Sequence, residues 1–235
     1  MGNPYNTDLD RNPANYQPLT PITFLERAAS VFPDYTAIIH GSIKRSYSEF
    51  YQRSCRLASA LSKKGINRGD TVSVILANTP AMLESHYGVP MCGAVLHSIN
   101  TRLDAATIAY QIDHANTKVL IVDREFISAI RSALELSKVN PILIDYSDSE
   151  FPISDSLSGE VEYESFLSGG DPGFDWLMPE DEWDVISLIY TSGSTVNLNG
   201  VVSHLLGVFL LGQFYALIAS ITKHAVYLST LRSFH

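Results

Sequence analysis

A run of small and hydroxyl-bearing residues is the part of this sequence best suited to chemistry. The run consists of Thr191, Ser192, Gly193, Ser194 and Thr195, and Gly200 follows after a short interval. Glycine and hydroxyl residues let successive main-chain N–H groups point into one concavity, and the side-chain O–H groups add donors, so the run could cradle phosphate oxygens. Residue type alone leaves a second interpretation open, which is an ordinary Ser/Gly loop between two strands.

The run lacks the cation that phosphate-binding loops usually carry. It is not a Walker A loop, because no Gly-Lys-Ser or Gly-Lys-Thr follows it and its glycines are spaced differently. No Lys or Arg occurs between Lys138 and Lys223, and more than half of the Asp and Glu residues of the chain lie in or just before that stretch. An anion bound here would therefore depend on neutral donors.

Apolar segments that alternate with helical patterns predict the scaffold that holds the run. Strands are predicted at 71–77, 94–99, 118–123, 141–146, 184–190, 200–204 and 225–231. Helices are predicted at 20–32, 46–64, 79–93, 104–115, 124–138 and 205–221, with a short one near 163–167. This alternation is typical of an α/β fold, in which a mostly parallel sheet is covered by helices on both faces. The run joins two consecutive strands, which predicts a hairpin.

The segments before the sheet carry clear local signals. Residues 1–19, rich in Asn, Pro and Asp, are predicted to form an irregular arm, and residues 20–235 a single partial domain. A further hairpin is predicted at 36–47. Ser46 and Glu49 form a capping box that predicts the start of a helix.

Composition restricts the class of partner. The chain has 235 residues, of which 46% are apolar and 17% charged, and this balance is typical of a folded protein. The formal net charge of −9 argues against nucleic acid and against an anionic membrane surface as the main partner. Cys55 and Cys92 lie in apolar helical patterns and are predicted to be buried free thiols, which fits a reducing compartment.

The uncharged segment 205–221 has two interpretations. Its length is close to the lower limit for spanning a bilayer. A helix buried in a large core has the same appearance, and this interpretation is favoured over a membrane span.

Several motifs together carry a family resemblance. Tyr190–Thr195, followed by Gly200-Val201-Val202, resembles the phosphate loop of the AMP-forming acyl-CoA synthetases, which belong to the adenylate-forming superfamily. The segments RNPANYQPLTPITFLERAA (11–29), YGVPMCGAVLHSINTRLD (87–104) and AVYLSTLRSFH (225–235) resemble plant acyl-activating enzymes of the acetate– and butyrate–CoA ligase type. The resemblance extends over essentially the whole chain and implies an incomplete N-terminal domain of such an enzyme.

The resemblance implies a two-step reaction with ATP, Mg²⁺ and coenzyme A. A short- or medium-chain carboxylic acid is first adenylated with release of pyrophosphate, and the thiol of coenzyme A then displaces AMP. The matching residues imply a nucleotide-binding role for Thr191, Ser192, Gly193, Ser194, Thr195, Asn199 and Gly200. His235 matches a histidine beside the acyl and nucleotide pockets, although an ordinary surface histidine is an equal interpretation. The family also implies a peroxisomal location.

The sequence departs from the family pattern at several positions. The family loop continues to Pro-Lys-Gly, whereas this chain has Leu198, Asn199 and Gly200. The adenine- and ribose-binding motifs, the Mg²⁺-associated Glu, and the C-terminal domain with its catalytic lysine come later in the family and are not in this sequence. The final Ser-Phe-His is not a peroxisomal signal, so a cytoplasmic location is the alternative expectation.

Two hypotheses about function follow. In the first, the chain is the N-terminal part of an acyl-CoA ligase, and the full-length product performs the reaction. In the second, it is a truncated paralogue that binds nucleotide weakly, associates with a full-length relative, or associates with itself through an exposed sheet edge.

Overall fold

The computed structural model describes residues 5, 7–153, 159–191, 199–223 and 225–231, and strands form its central layer. The strands are β1 Thr36–His40, β2 Ile43–Ser46, β3 Thr71–Ile75, β4 Val95–Ser98, β5 Thr117–Asp123, β6 Ile142–Tyr146, β7 Val161–Glu162, β8 Val185–Tyr190 and β9 Gly200–His204. The helices are α1 Ile22–Val31, α2 Tyr47–Lys63, α3 Pro80–Met91, α4 Ala105–His114, α5 Ile127–Leu136, α6 Tyr163–Ser168 and α7 Leu205–Ile218. A 3-10 turn over Arg124–Phe126 precedes α5.

The main sheet is parallel except at one edge. Its strands lie in the order β7-β6-β5-β3-β4-β8-β9, and β9 alone of these runs antiparallel to its neighbour, β8. The β1–β2 hairpin is separate. The predicted α/β class and the predicted hairpin between β8 and β9 are therefore confirmed.

Helices cover the sheet on both faces, as predicted. Alternate side chains of β3 and β5 point to opposite faces, which is the strand periodicity of two. Val72 and Val119 pack into a core with α1, α2, α3 and α6. Leu120 and Val122 pack into a second core with α4 and α5. The sheet is thus buried on both sides along its central strands.

Local signals in the sequence correspond to local geometry. Ser46 Oγ accepts a hydrogen bond from the Glu49 amide, and the Glu49 carboxylate accepts one from the Ser46 amide, so the predicted capping box is present. Gly65 has φ +83°, a left-handed conformation that glycine adopts without steric cost. Cys55 and Cys92 are both buried and free, as predicted.

Two predictions near the C-terminal end were wrong. Residues 225–231 form no strand; the segment crosses the end of β3, where Asn78 Nδ2 donates to the Leu231 carbonyl at 2.7 Å. Helix α7 is not buried, since Leu205 is its one buried residue among those described. The helix is apolar on all sides. It contacts β9, and its Phe209 ring stacks on Phe24 of α1 at 4.8 Å.

The described residues include no helix that combines the length and the apolar character needed to cross a bilayer.

A buried carboxylate joins three helices on one face of the sheet. Glu84 in α3 is fully buried and accepts hydrogen bonds from Arg53 Nε at 2.6 Å and Nη2 at 3.1 Å, both from α2. The Tyr163 hydroxyl of α6 donates to the same carboxylate at 2.9 Å. Arg53 also pairs with Glu164 at 2.6 Å. This cluster fixes how α2, α3 and α6 pack against one another.

We expect Glu84→Gln to lower the free energy of unfolding by about 3 kcal/mol, because it removes the buried charge that accepts hydrogen bonds from Arg53 and Tyr163 and leaves Arg53 with only its half-exposed partner Glu164. Glu164→Gln is the matched control: it removes the more exposed partner of the same Arg53 and should change stability by about 1 kcal/mol or less. Urea unfolding of both variants measures the difference. Equal losses would contradict the buried carboxylate's dominant role.

Candidate functional site

The candidate site is the mouth of the hairpin between β8 and β9. Tyr190 pairs with Gly200 across the two strands, and the Thr191 amide donates to the Asn199 carbonyl at 3.3 Å. Three of the predicted site residues, Thr191, Asn199 and Gly200, are therefore brought together, and all three are exposed. The predicted residues Ser192, Gly193, Ser194 and Thr195 lie outside the described residues, as does His235.

The hydrogen bond at the mouth limits what Thr191 can contribute. Its amide is engaged by the strand ladder and is not available to a ligand. The hydroxyl is the polar group that remains, and a threonine hydroxyl can donate one hydrogen bond. Main-chain donors for an anion would have to come from the residues that follow.

Gly200 has a packing role in addition to its predicted one. A Cβ atom at this position would lie 3.0 Å from Leu188 Cδ1 and 3.6 Å from Tyr190 Cε1. The absence of a side chain therefore leaves room for two side chains of β8 to lie across the hairpin. This requirement comes from the neighbouring strand and does not involve a ligand.

The hairpin itself carries no Lys or Arg in the sequence. Asn199 presents a neutral amide, and the nearest Lys or Arg along the chain are Lys138 and Lys223. Hydrogen bonds to charged groups contribute about 1.5–3 kcal/mol, compared with about 0.5–1.5 kcal/mol for neutral pairs. A site built from neutral donors would therefore hold an anion less strongly than a loop with a lysine.

A group of polar and aromatic residues supports the mouth from inside the sheet. The Tyr190 hydroxyl lies 2.6 Å from His114 Nδ1 in α4, and the Tyr190 ring meets the His97 ring of β4 edge-to-face at 5.1 Å. His97 is fully buried, and its Nδ1 lies 2.8 Å from Ser73 Oγ in β3. Ser73 Oγ in turn lies 2.7 Å from Thr117 Oγ1 in β5.

Sequence reasoning missed this cluster, although a signal was present. Ser73 and His97 are polar residues inside strands that are otherwise apolar, and such residues are uncommon in strands buried on both faces. Burial lowers the pKa of His97 to about 4, with Gln111 opposing the shift and His114 reinforcing it. His97 is therefore neutral near pH 7.

An acidic cavity of about 520 Å³ lies at the same edge of the sheet as the mouth. It follows the carboxyl ends of β3, β5 and β6, and its polar lining includes His40, Asn78, Thr79, Asp123, Glu125 and Asp148. His40 Nε2 lies 2.8 Å from Asp148 Oδ2, and burial raises the pKa of Asp123. Carboxylates repel phosphates, so this cavity does not suit a triphosphate.

Another cavity, of about 370 Å³, lies at the opposite edge of the sheet. It is lined by residues at the amino ends of three strands, including Gly69 before β3, Ala94 before β4 and Asp184 before β8. The strands lie between this cavity and the hairpin mouth, so the cavity is not part of the candidate site. In the part of the chain that the structure describes, no three His, Cys, Asp or Glu side chains come together to hold a metal ion.

Comparisons with known proteins place the sequence in a known family. The family of AMP-binding enzymes matches residues 25–235. The peroxisomal acetate/butyrate–CoA ligase AAE7 of Arabidopsis thaliana is 44% identical over 239 residues, which cover 97% of this chain and 42% of the relative. The acetate–CoA ligase CCL3 of Humulus lupulus is 43% identical over 242 residues, with 97% and 42% covered. The chain thus spans less than half the length of these relatives.

The fold also matches a solved ligase. The anthranilate CoA ligase AuaEII, solved in complex with anthranoyl-AMP, superposes with a TM-score of 0.75. The sequences are 19% identical, and the match covers 88% of this chain and 38% of the other. At this identity the likeness concerns the fold.

We expect stability to fall by about 3 kcal/mol as pH decreases from 6.5 to 4, because of His97 alone. The unfolded chain binds a proton at this histidine below about pH 6.5, whereas the folded protein binds it only near pH 4. The stabilisation is therefore complete above pH 6.5 and is lost towards pH 4. Urea unfolding of wild type and His97→Gln across this range should show a shallower slope in the variant; parallel slopes would contradict a neutral buried His97.

Proposed function

Because the chain belongs to the family of AMP-binding enzymes, we propose that the hairpin at 191–200 binds the β- and γ-phosphates of ATP during activation of a short- or medium-chain carboxylic acid. The observation that carries the proposal is the position of the mouth. It lies at the carboxyl edge of the parallel sheet, where exposed Thr191 follows β8 and exposed Asn199 precedes β9. Ligands of open α/β sheets bind at this edge. The names of the acetate– and butyrate–CoA ligase relatives support the substrate class.

The proposed chemistry has two steps. A carboxylate oxygen of the acid attacks the α-phosphorus of ATP, the bond to the β-phosphate breaks, and pyrophosphate leaves. The sulfur of coenzyme A then attacks the acyl carbon and displaces AMP. Negative charge grows on the pyrophosphate oxygens in the first step, so donors fixed at the hairpin would lower that barrier.

The roles of individual residues follow from this scheme. The Thr191 hydroxyl and the Asn199 amide would donate to the phosphates, and Gly200 would keep the hairpin narrow. Ser192–Thr195 are proposed as further donors on the strength of the family motif, and His235 as a neighbour of the acyl group. Mg²⁺ would enter with the triphosphate, whose charge it neutralises.

The proposal covers the family activity and not thioester formation by the chain alone. The relatives are more than twice as long, and the remaining part of their length has no counterpart in this sequence. We expect acetate, butyrate or hexanoate with ATP and coenzyme A to give no measurable acyl-CoA with this chain. A peroxisomal location is part of the proposal, supported by the name of one relative.

Isothermal titration with ATP and Mg²⁺ tests the nucleotide-binding proposal. We expect weak binding by the wild type and binding that is about tenfold tighter in Asn199→Lys, because a charge-assisted hydrogen bond replaces a neutral one.

Asn140→Lys is the matched control for that titration. It adds the same charge at an exposed position after α5 and should leave the affinity unchanged. Equal gains in both variants would mean that net charge, and not the hairpin, determines binding. No binding in any variant would contradict the proposal.

We propose, as a second function, that the apolar surface at the C-terminal end of the described chain binds another polypeptide. This surface consists of the outer side of β9, the exposed face of α7 and residues 225–231. Leu211 and Leu217 in α7 are 64% and 78% exposed, and Val202 in β9 is 56% exposed. So many exposed apolar side chains on neighbouring elements are unusual on a monomer and are typical of an interaction site.

The chemistry of the surface restricts what could occupy it. No charged residue occurs in the sequence from 185 to 222, although the chain carries a net charge of −9, so the partner must also be apolar and neutral. The relatives continue for more than half of their length beyond the matched region. We therefore assign the surface to that remaining part of a ligase of this family, which would add a strand at the free edge of β9.

Co-expression with the remaining part of the Arabidopsis relative, followed by size-exclusion chromatography with light scattering, tests this assignment. We expect a one-to-one complex that Leu217→Glu abolishes. Leu136→Glu is the matched control, because Leu136 is an exposed leucine of α5 outside the surface, and the complex should persist. A homodimer that Leu217→Glu disrupts would instead make a second copy the occupant, and a monomer throughout would contradict the proposal.

A further inference from the structure

A series of four rings leads from the surface of α4 to the base of the hairpin. Tyr110 stacks on His114 with centroids 5.6 Å apart, and His114 meets Tyr190 edge-to-face, also at 5.6 Å. The other side of the Tyr190 ring contacts buried His97 at 5.1 Å. Tyr190 is thus held between an exposed and a buried histidine, directly before Thr191.

The contact between Tyr190 and His114 is a short hydrogen bond. The hydroxyl oxygen and Nδ1 are 2.6 Å apart. Burial raises the pKa of Tyr190 to about 12, so the phenol keeps its proton at neutral pH. The hydroxyl can therefore donate to Nδ1 of a neutral imidazole that carries its proton on Nε2.

Few other interactions hold the base of the hairpin. Strand β9 is an edge strand that pairs only with β8 among the described strands, and β8 joins the rest of the sheet through two residue pairs with β4. Among the described residues, the main-chain hydrogen bond nearest the loop is the long one between Thr191 and Asn199, at 3.3 Å. A side-chain bond from the adjacent Tyr190 to a helix therefore restrains the mouth more than it would in a central strand.

We propose that His114 is a positioning residue for the phosphate site: it holds Tyr190, and through Tyr190 it fixes the place and direction of Thr191 and Asn199. The proposal rests on the proposed binding of ATP at the hairpin. His114 does not touch the ligand, and its effect reaches the site through one hydrogen bond and one ring contact.

The first test compares the affinity for ATP with Mg²⁺ among variants of this bond. Tyr190→Phe and His114→Ala should each weaken binding by about three- to tenfold, the value of one lost hydrogen bond. The double variant should lose no more than either single variant, since both changes remove the same bond. His114→Asn, whose side-chain oxygen lies near the place of Nδ1, should restore the affinity to within about twofold of wild type, because one hydrogen bond is regained.

Tyr110→Phe is the matched control. It removes a hydroxyl from the same series of rings but leaves the bond between His114 and Tyr190, so affinity should not change. Losses that add up in the double variant, or a failure of His114→Asn to restore binding, would overturn the proposal, because a purely structural loss would behave in that way.

A second measurement separates this proposal from the proposed function. Hydrogen exchange of the peptide 190–204 without nucleotide should be several-fold faster in Tyr190→Phe and His114→Ala than in wild type or Tyr110→Phe, while urea unfolding remains similar. If the wild type binds no ATP but the variants show this exchange pattern, the proposed function is refuted, while the restraint of the hairpin by the bond between His114 and Tyr190 is supported. Unchanged exchange in both variants would refute the restraint of the hairpin by this bond.

Discussion

The parallel pairing of β4 with β8 is the constraint on which the arrangement of the site depends. The pairing joins Leu96 to Ser187 and His97 to Leu188, and these residues are far apart in sequence. Because β8 enters parallel to β4, its carboxyl end lies at the same edge as the carboxyl ends of β3, β5 and β6. The hairpin therefore opens at the edge where α/β proteins bind ligands. An antiparallel entry would have placed the loop at the opposite edge.

The pairings of β4 with β8 and with β3 give the buried His97 its neighbours. Placing His97 beside β8 brings its ring against Tyr190, and placing it beside β3 brings Nδ1 to Ser73. A buried imidazole costs stability unless its polar atoms are bonded, and Nε2 of His97 has no hydrogen-bond partner of good geometry among the described residues. The protein therefore gives up some stability at this position and gains a rigid contact behind the mouth of the hairpin.

The sequence was sufficient to predict the scaffold but not the outer edge of the sheet. Segments such as 118–123 and the capping box at Ser46 carry local signals, and these signals agree with the tertiary packing. Residues 225–231 have the composition of a strand, but a strand needs a neighbour, and no neighbour for them is present in the described chain. The all-apolar pattern of 205–221 predicted a buried helix, and this prediction was also wrong. Burial depends on what covers a helix, and a single segment does not contain that information.

The sequence predicted which residues lie at the candidate site, but not which of their hydrogen-bond donors are available to a ligand. The motif identified Thr191, Asn199 and Gly200, and the fold brings all three together. The motif could not show that the Thr191 amide belongs to the strand ladder, because hydrogen-bond register depends on pairing across the hairpin. Nor could it show the support from His114, which lies in a helix that is distant in sequence.

The weak nucleotide binding that we propose and the exposed apolar surface bear on the same kind of partner. Three or four neutral hydrogen bonds of about 1 kcal/mol each give a dissociation constant in the millimolar range. Tighter binding of a triphosphate needs cations, and the sequence has none between 139 and 222. Strand β9 belongs to the hairpin, so a polypeptide that covered its outer side would also lie near the proposed phosphate site. A single partner could therefore bury the apolar side chains and supply the missing positive charge.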